Sequence, residues 1–398
     1  MAKPFDHVHS MRMVSEVAKL CVFCGVKPNE KTKEHVIPGW LMRLTGSDTR
    51  EVFLGVRYSD GPDKLKIHRH SLNRYTFPAC HECNQRYATL EALAKPVCEK
   101  LIEEKDVSPV ELEILFHWLD KVRVGLWLAG RAVGTNIFKA TDPRFHIAHR
   151  IGQADRWARL TLLPQEVGNG LTYAGVGTPL FGSMPSAFSL RINRLIIQNA
   201  SSPRLISRWM GLPYPATRRT RTPSGEVFHS EIRFGKKKIL PRMMNYRKRF
   251  NGLEVFQPAY PFKLKDCERP FLNEYAKRFF NNLKDLEAKV VVATNGEIHV
   301  NGSIGPAQYA EMKHSPDARF PTDFSCSTLE LQNYVSREGL FGGLPVSKRD
   351  SERARKLRND LCKLNRYLLK RLEDQAADPN KNDDGYEEME KGLKVISI

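Results

Sequence analysis

The 398-residue chain contains no stretch of about 18 uncharged apolar residues, which excludes a membrane-spanning helix from the reading. Its opening, MAKPFDHVHSMRMVSEVAKL, lacks the unbroken apolar run of a secretory signal, so a cytoplasmic protein with reduced thiols and no membrane partner is expected. Cysteine is scarce. Eight cysteines in a reducing compartment read as metal ligands or buried thiols, not disulfides. No repeat period is visible. Acidic residues are in deficit, 45 against 63 Lys and Arg, for a net charge of +18. What is present is ample: 41% apolar and 9% aromatic residues exclude a wholly disordered chain, and the length calls for at least two domains.

The positive charge is uneven. Residues 373–390 carry eight acidic side chains and one Lys, whereas residues 201–250 carry 13 basic and two acidic. Residues 348–372 add ten basic against three acidic. So local an excess points to a polyanionic partner, since phosphate contacts release counterions and dominate nucleic-acid affinity. The competing reading is a solvated surface that aids solubility.

Four regions follow one another: a Cys/His-rich head over 1–105, a helical connector over 106–135, a basic β-rich body over 136–345, and a C-terminal helix with an acidic tail over 346–398. The connector opens with Ser108-Pro109-Val110-Glu111, a Ser cap, Pro in the first helical position and Glu in capping-box position. Leu112, Leu115, Leu119, Val122, Leu126, Ala129 and Val133 then recur at helical spacing, and Gly134 can end the helix. In the body, Trp157–Leu163, Leu171–Val176, Ala187–Ile197, Val227–Phe234 and Val290–Ala293 read as strands, with a hairpin turn at Asn295-Gly296. Arg218, Arg219 and Arg221 fall in what reads as a Pro- and Thr-rich loop. Lys236 to Lys238 and Arg247 to Arg249 form two further basic clusters. Tyr275, Phe279, Leu283 and Leu286 are at helical spacing, and Ala354, Leu357, Leu361, Leu364, Leu368 and Leu372 share a face of the last helix. The fold class expected is α+β, with a body of no nameable fold.

The head carries the chemistry. Cys21-Val22-Phe23-Cys24 and Cys80-His81-Glu82-Cys83 are two C-x-x-C pairs within 63 residues. Each can present two thiolates from a tight turn, and four thiolates satisfy tetrahedral Zn²⁺. Four thiolates leave no open position for water, so this zinc is read as structural. Gly25 suits the chain reversal of the first turn. Cys98, Cys267, Cys326 and Cys362 have no such spacing and read as buried or inert thiols.

Lys33-Glu34-His35-Val36-Ile37-Pro38 lies between the pairs, and Asn84 follows Cys83 directly. A C-x-x-C, an acidic-His-apolar-apolar-Pro strand and a C-x-x-C-Asn that opens a helix resemble the HNH (ββα-metal) endonucleases with a zinc-knuckle frame; Glu34 to Trp40 matches the Glu-His-x-x-Pro-x-Trp form. The resemblance spans under a fifth of the chain. It implies a ββα-metal domain, His35 as general base, and Glu34 and Asn84 as ligands of one catalytic Mg²⁺ or Mn²⁺. Phosphodiester hydrolysis needs those parts: a base for the attacking water, and positive charge for the transition state. Adjacent strand residues point to opposite faces, so a bulge or twist at Glu34-His35 is implied if both are to serve one metal.

The chain departs from the family pattern in places. Tyr75-Thr76 stands where many members have Asn-Leu, with Asn73 two residues earlier, and Tyr87 stands where Lys or His is common. Glu91 lies near the Asn84 face of the expected helix, as a supporting group or a solvated carboxylate. His68 and His70 read as surface histidines. The 55 residues between Cys24 and Cys80 exceed the usual interval, so an insertion is expected within roughly 43–68. The expected function is a metal-dependent endonuclease acting on nucleic acid, DNA favoured. The alternatives are a non-catalytic zinc-containing nucleic-acid-binding protein and a regulated nuclease effector of bacterial defence.

Overall fold

The computed structural model describes residues 19–46, 51–58, 65–71, 76–132, 147–152, 154–202, 213–223, 225–234, 250–257, 290–294, 297–300, 302–309, 311–312, 319–338 and 348–377. In chain order the head contributes β1 (Lys31–His35), α1 (Gly39–Leu44), β2 (Glu51–Tyr58), β3 (Leu65–Ser71), β4 (Thr76–Cys80) and α2 (His81–Ile102). β1 pairs antiparallel with β4, and β2 with β3. The extra length between the cysteine pairs therefore holds a separate hairpin, β2–β3, which covers most of the expected insertion.

α3 (Pro109–Ala132) follows, with the expected cap. Ser108 Oγ accepts from Glu111 N at 3.3 Å, and Glu111 Oε2 accepts from Ser108 N at 2.9 Å. Leu112, Leu115, Leu119, Val122, Leu126 and Ala129 are all buried. The helix is more deeply buried than its apolar stripe implies, because every residue from Trp118 to Gly130 is inside. That includes Asp120, Lys121 and Arg123.

The body is built on a seven-stranded antiparallel sheet of order β13-β12-β11-β5-β8-β7-β6. Its strands are β5 (Asp155–Leu162), β6 (Leu171–Ala174), β7 (Ala187–Ile192), β8 (Leu195–Ser202), β11 (Leu253–Gln257), β12 (Val291–Thr294) and β13 (Glu297–Val300). A short helix, α4 (Pro179–Ser183), precedes β7. The run read as one strand from Ala187 to Ile197 is two, turned at Asn193, whose φ of 53° lies in the left-handed region that Asn tolerates. β12 and β13 pair Thr294 with Glu297, as a two-residue connection requires.

A separate ribbon pairs β9 (Pro213–Thr222) with β10 (Gly225–Phe234). Arg218, Arg219 and Arg221 are thus in a strand, which corrects the loop reading. Prolines at 213 and 215 hid it, although Thr and Tyr at alternate places suit a strand.

Strand alternation divides the sheet into two faces. Ala158, Leu160, Phe188, Leu190, Leu195, Ile197, Leu253, Val255 and Val292 join one apolar core with α3, α2 and the cysteine turns. On the opposite face Trp157, Ala187, Ala200, Phe256 and Val291 pack with Leu331 and Val335 of α5 (Phe320–Glu338). The last helix, α6 (Lys348–Ala377), lies against α5 with Leu361, Cys362 and Leu364 buried. The result is a mixed α+β protein with a C-terminal helix. Cys98, Cys326 and Cys362 are buried thiols. No helix among the described residues is long and apolar enough to cross a membrane. The expected features at Asn73, Val133-Gly134, 236–238, 247–249, Cys267, 275–286 and beyond Pro379 lie outside the described residues, as do the side chains of His68 and His70 on β3.

Candidate metal centre and the ββα unit

The first cysteine pair sits on a turn closed by Gly25 N donating to Cys21 O at 2.9 Å and Cys21 N donating to Val26 O at 2.8 Å. Gly25 takes φ 76°, where a side chain would be strained. The second pair straddles the start of α2. Cys80 is its extended cap residue, with φ −74° and ψ 152°, and Cys83 lies in the first turn. Val22 N donates to Pro78 O at 2.9 Å and brings the two turns together.

All four Sγ atoms lie within 4.8 Å of one another. Cys80 Sγ is 3.7 Å from Cys21 Sγ and 3.9 Å from Cys24 Sγ. A zinc tetrahedron with bonds of about 2.3 Å has S···S edges of about 3.8 Å. The donor set therefore fits a metal ion such as zinc. Protonation agrees with this. Burial pushes up the Cys21 thiol, but hydrogen bonds from the backbone of Cys24, Cys80 and Phe23 outweigh it and bring the group down to about 7. Burial raises Cys24 and Cys83, and charge on neighbouring sulfur raises them further. Mutual repulsion thus keeps protons on the cluster, and a divalent cation would displace them.

The structure sorts the expected catalytic residues onto two faces. β1 runs in unbroken register with β4 from Lys31↔Cys80 to His35↔Thr76, so the expected bulge at Glu34-His35 is absent. Thr32 and Glu34 face α2. Asn84 Nδ2 donates to Thr32 Oγ1 at 3.1 Å, and Thr32 Oγ1 donates to Ala79 O at 2.9 Å. Glu34 is buried, with Oε1 2.5 Å from Lys121 Nζ of α3. Glu91 of α2 accepts a hydrogen bond from the same ammonium, so it is not a solvated carboxylate. Burial raises the Glu91 carboxyl, against the pull of Lys121. Tyr87 stacks on Phe23 at 4.0 Å, and Lys121 lies 5.9 Å from the Phe23 ring centre.

His35 is on the other face of β1, half-buried, between the exposed Lys33 side and the start of the buried Val36-Ile37 segment. Its Nδ1 is buried without a hydrogen-bond partner among the described residues. Lys31 and Lys33 share that face by strand alternation and are exposed. The structure thus brings Glu34 and Asn84 to one side and His35 to the other.

As placed, Glu34 and Asn84 do not fit a catalytic Mg²⁺ or Mn²⁺. Such an ion prefers oxygen donors carrying free negative charge, and the Glu34 carboxylate already faces an ammonium. Lys121 went unread in the sequence. The available signal was three charged residues, Asp120, Lys121 and Arg123, set amid the apolar run of the helix from Trp118 to Gly130.

Neither a family model, nor a curated protein, nor a solved structure matches the chain. What the fold and site define is a mixed α+β protein whose four-cysteine cluster can hold a metal ion such as zinc. The cluster joins the antiparallel β1–β4 pair to α2.

Proposed function

We propose that the chain is a zinc-framed endonuclease of the ββα class, hydrolysing phosphodiester bonds of nucleic acid with His35 as general base and DNA as the favoured substrate. The observation that carries this reading is the continuity of the frame. Two antiparallel strands lead through the second cysteine pair straight into a helix, and the first pair closes on the same cluster. Zinc held there supplies coordination that fixes the turns, with no position left for a substrate. His35 stands at the end of β1, and its imidazole can take the proton of a water attacking phosphorus. The P–O bond to the leaving oxygen then breaks, and solvent protonates that oxygen. Lys31 and Lys33 lie on the same strand face at intervals of roughly 7 Å, close to the spacing of strand phosphates, and supply positive charge beside the reacting group.

The C-terminal helix offers a polyanion-binding face. Arg355, Asn359, Lys363, Arg366 and Lys370 are exposed on α6 and recur at steps of four, four, three and four, which aligns them in one stripe. Phosphates are the natural partner of such a row.

The test is incubation of zinc-loaded full-length protein with plasmid DNA and with RNA, with and without added Mg²⁺ or Mn²⁺, beside His35→Ala. Cleavage is expected to fall by about 10²–10⁴-fold in the variant, with zinc content and binding kept. Undiminished cutting removes His35 from the mechanism. The buried Lys121–Glu34 pair favours a second reading, a non-catalytic nucleic-acid-binding protein. Salt-sensitive binding without cleavage under any divalent ion would select it.

A further inference from the structure

We infer that Lys121 is the resident cation of the head, its ammonium filling the position between Glu34 and Glu91 that would otherwise take a divalent ion. The inference concerns the charge balance of that pocket and holds whether or not the chain is a nuclease.

Lys121 is itself almost wholly enclosed, with its side chain 2% exposed, and the Glu34 and Glu91 side chains are 10% and 18% exposed. An isolated buried carboxylate is costly, and a pair of them more so. The pair comes from different elements, β1 and α2, and the cation from a third, α3. The three meet beside the cysteine cluster. Phe23, adjacent to Cys24 in the first turn, lies under the ammonium, and Tyr87 stacks on Phe23. A lysine reaching this position leaves its four-carbon stem among apolar neighbours and its charge on two carboxylates, an arrangement a solvated surface lysine does not adopt.

The arrangement also orders the helices. Asp120, the preceding residue, accepts from Gly152 N at 3.0 Å and from Arg156 Nη1 at 3.3 Å, and binds Arg123 as well. Two adjacent α3 residues thus hold the head on one side and the sheet on the other. Withdrawing the Lys121 ammonium would leave two carboxylates in a shared pocket, oxygen donors of the kind that Mg²⁺ and Mn²⁺ prefer. With the ammonium in place, those oxygens already hold a cation.

The experiment titrates Mn²⁺ into zinc-loaded protein and reads free Mn²⁺ by electron paramagnetic resonance, for wild type, Glu34→Gln, Lys121→Ala and Lys121→Ala/Glu34→Gln. Wild type is expected to show no saturable site that Glu34→Gln removes. Lys121→Ala is expected to gain one, at least tenfold tighter than any wild-type binding, and the double variant to lose it. If Lys121→Ala does not fold alone, Mn²⁺ is expected to restore its circular dichroism. The inference is overturned by a wild-type Mn²⁺ site that depends on Glu34. It is overturned equally by an Mn²⁺-indifferent Lys121→Ala, folded or unfolded.

Discussion

Removal of zinc is the sharpest test of the metal centre, and its reach can be worked out from the packing. Metal binding by a four-thiolate site contributes roughly 10–16 kcal/mol at neutral pH, comparable with the whole stability of a typical domain, about 5–15 kcal/mol. The cluster cross-links residues 21 and 83, a span of some sixty residues, whose loop-closure entropy alone corresponds to about 4 kcal/mol. Cys21, Val22 and Phe23 belong to the same apolar core as Leu160 and Ile197. Ile147 N and Ala148 N donate to Val22 O and Phe23 O at 3.0 and 3.1 Å. The disturbance should therefore travel past the turns. We expect chelation to abolish amide protection at Val22, Gly25, Ile147 and Ala148 in hydrogen exchange, while amides in the middle of β5 and β8 keep most of theirs. Because Cys24 and Cys83 hold their protons in the absence of metal, zinc binding should release at least two protons per ion, and affinity should fall steeply as pH drops. Unchanged protection at Ile147 and Ala148 in zinc-free protein would refute the argument that the cluster anchors the neighbouring chain.

Three further outcomes can be measured independently. Glu254, fully buried and 2.6 Å from Arg159, also accepts from Trp157 Nε1 at 3.3 Å; Glu254→Ala should cost about 3–5 kcal/mol in urea unfolding, and Arg159→Met/Glu254→Leu far less. His117 is held down to about 4, first by burial and then by Arg156. A histidine depressed on folding stays neutral while the unfolded chain protonates, so stability should decline from about pH 6.5 to about pH 4 and then level, and His117→Gln should flatten that decline. Replacing Lys363, Arg366 and Lys370 with Gln should flatten the slope of log affinity against log salt by up to about three, at roughly 0.9 per phosphate contact, equally for unrelated DNA sequences. An unaltered slope would leave the stripe as solvated surface.

How much could be read in advance depended on the range of the interactions. The C-x-x-C pairs, the Ser108–Glu111 capping box and the Asn295-Gly296 turn are local signals, and the first two stand in the structure as the sequence implies, with the third flanked by the expected strand pairing. β9 was hidden because its prolines mask an alternation of Thr and Arg that no apolar face reinforces. The helical character of α3 was legible from its stripe, but its enclosure was not. Burial on all sides is decided by the sheet and by α2, and neither can be positioned from spacing. Lys121 was lost for the same reason. Its partners stand 87 and 30 residues away in the chain, so the charged residues beside it in sequence mark an oddity of the helix without naming the pocket.

The enclosure of α3 bears on how the cysteine module can be handled. Many zinc modules travel between proteins as self-contained beads, but among the described residues the head has no second layer of its own. Ala94, Val97, Cys98 and Leu101 of α2, together with Val36 just after β1, face into the core that α3 completes. At Gly125 a methyl group would already press within 3.3 Å of Val36 Cγ1. A fragment ending at residue 105 would bare that whole apolar flank and strand Glu34 and Glu91 without their lysine. The head is an inlay in the body, and it should be grafted, truncated or inherited only together with the helix behind it.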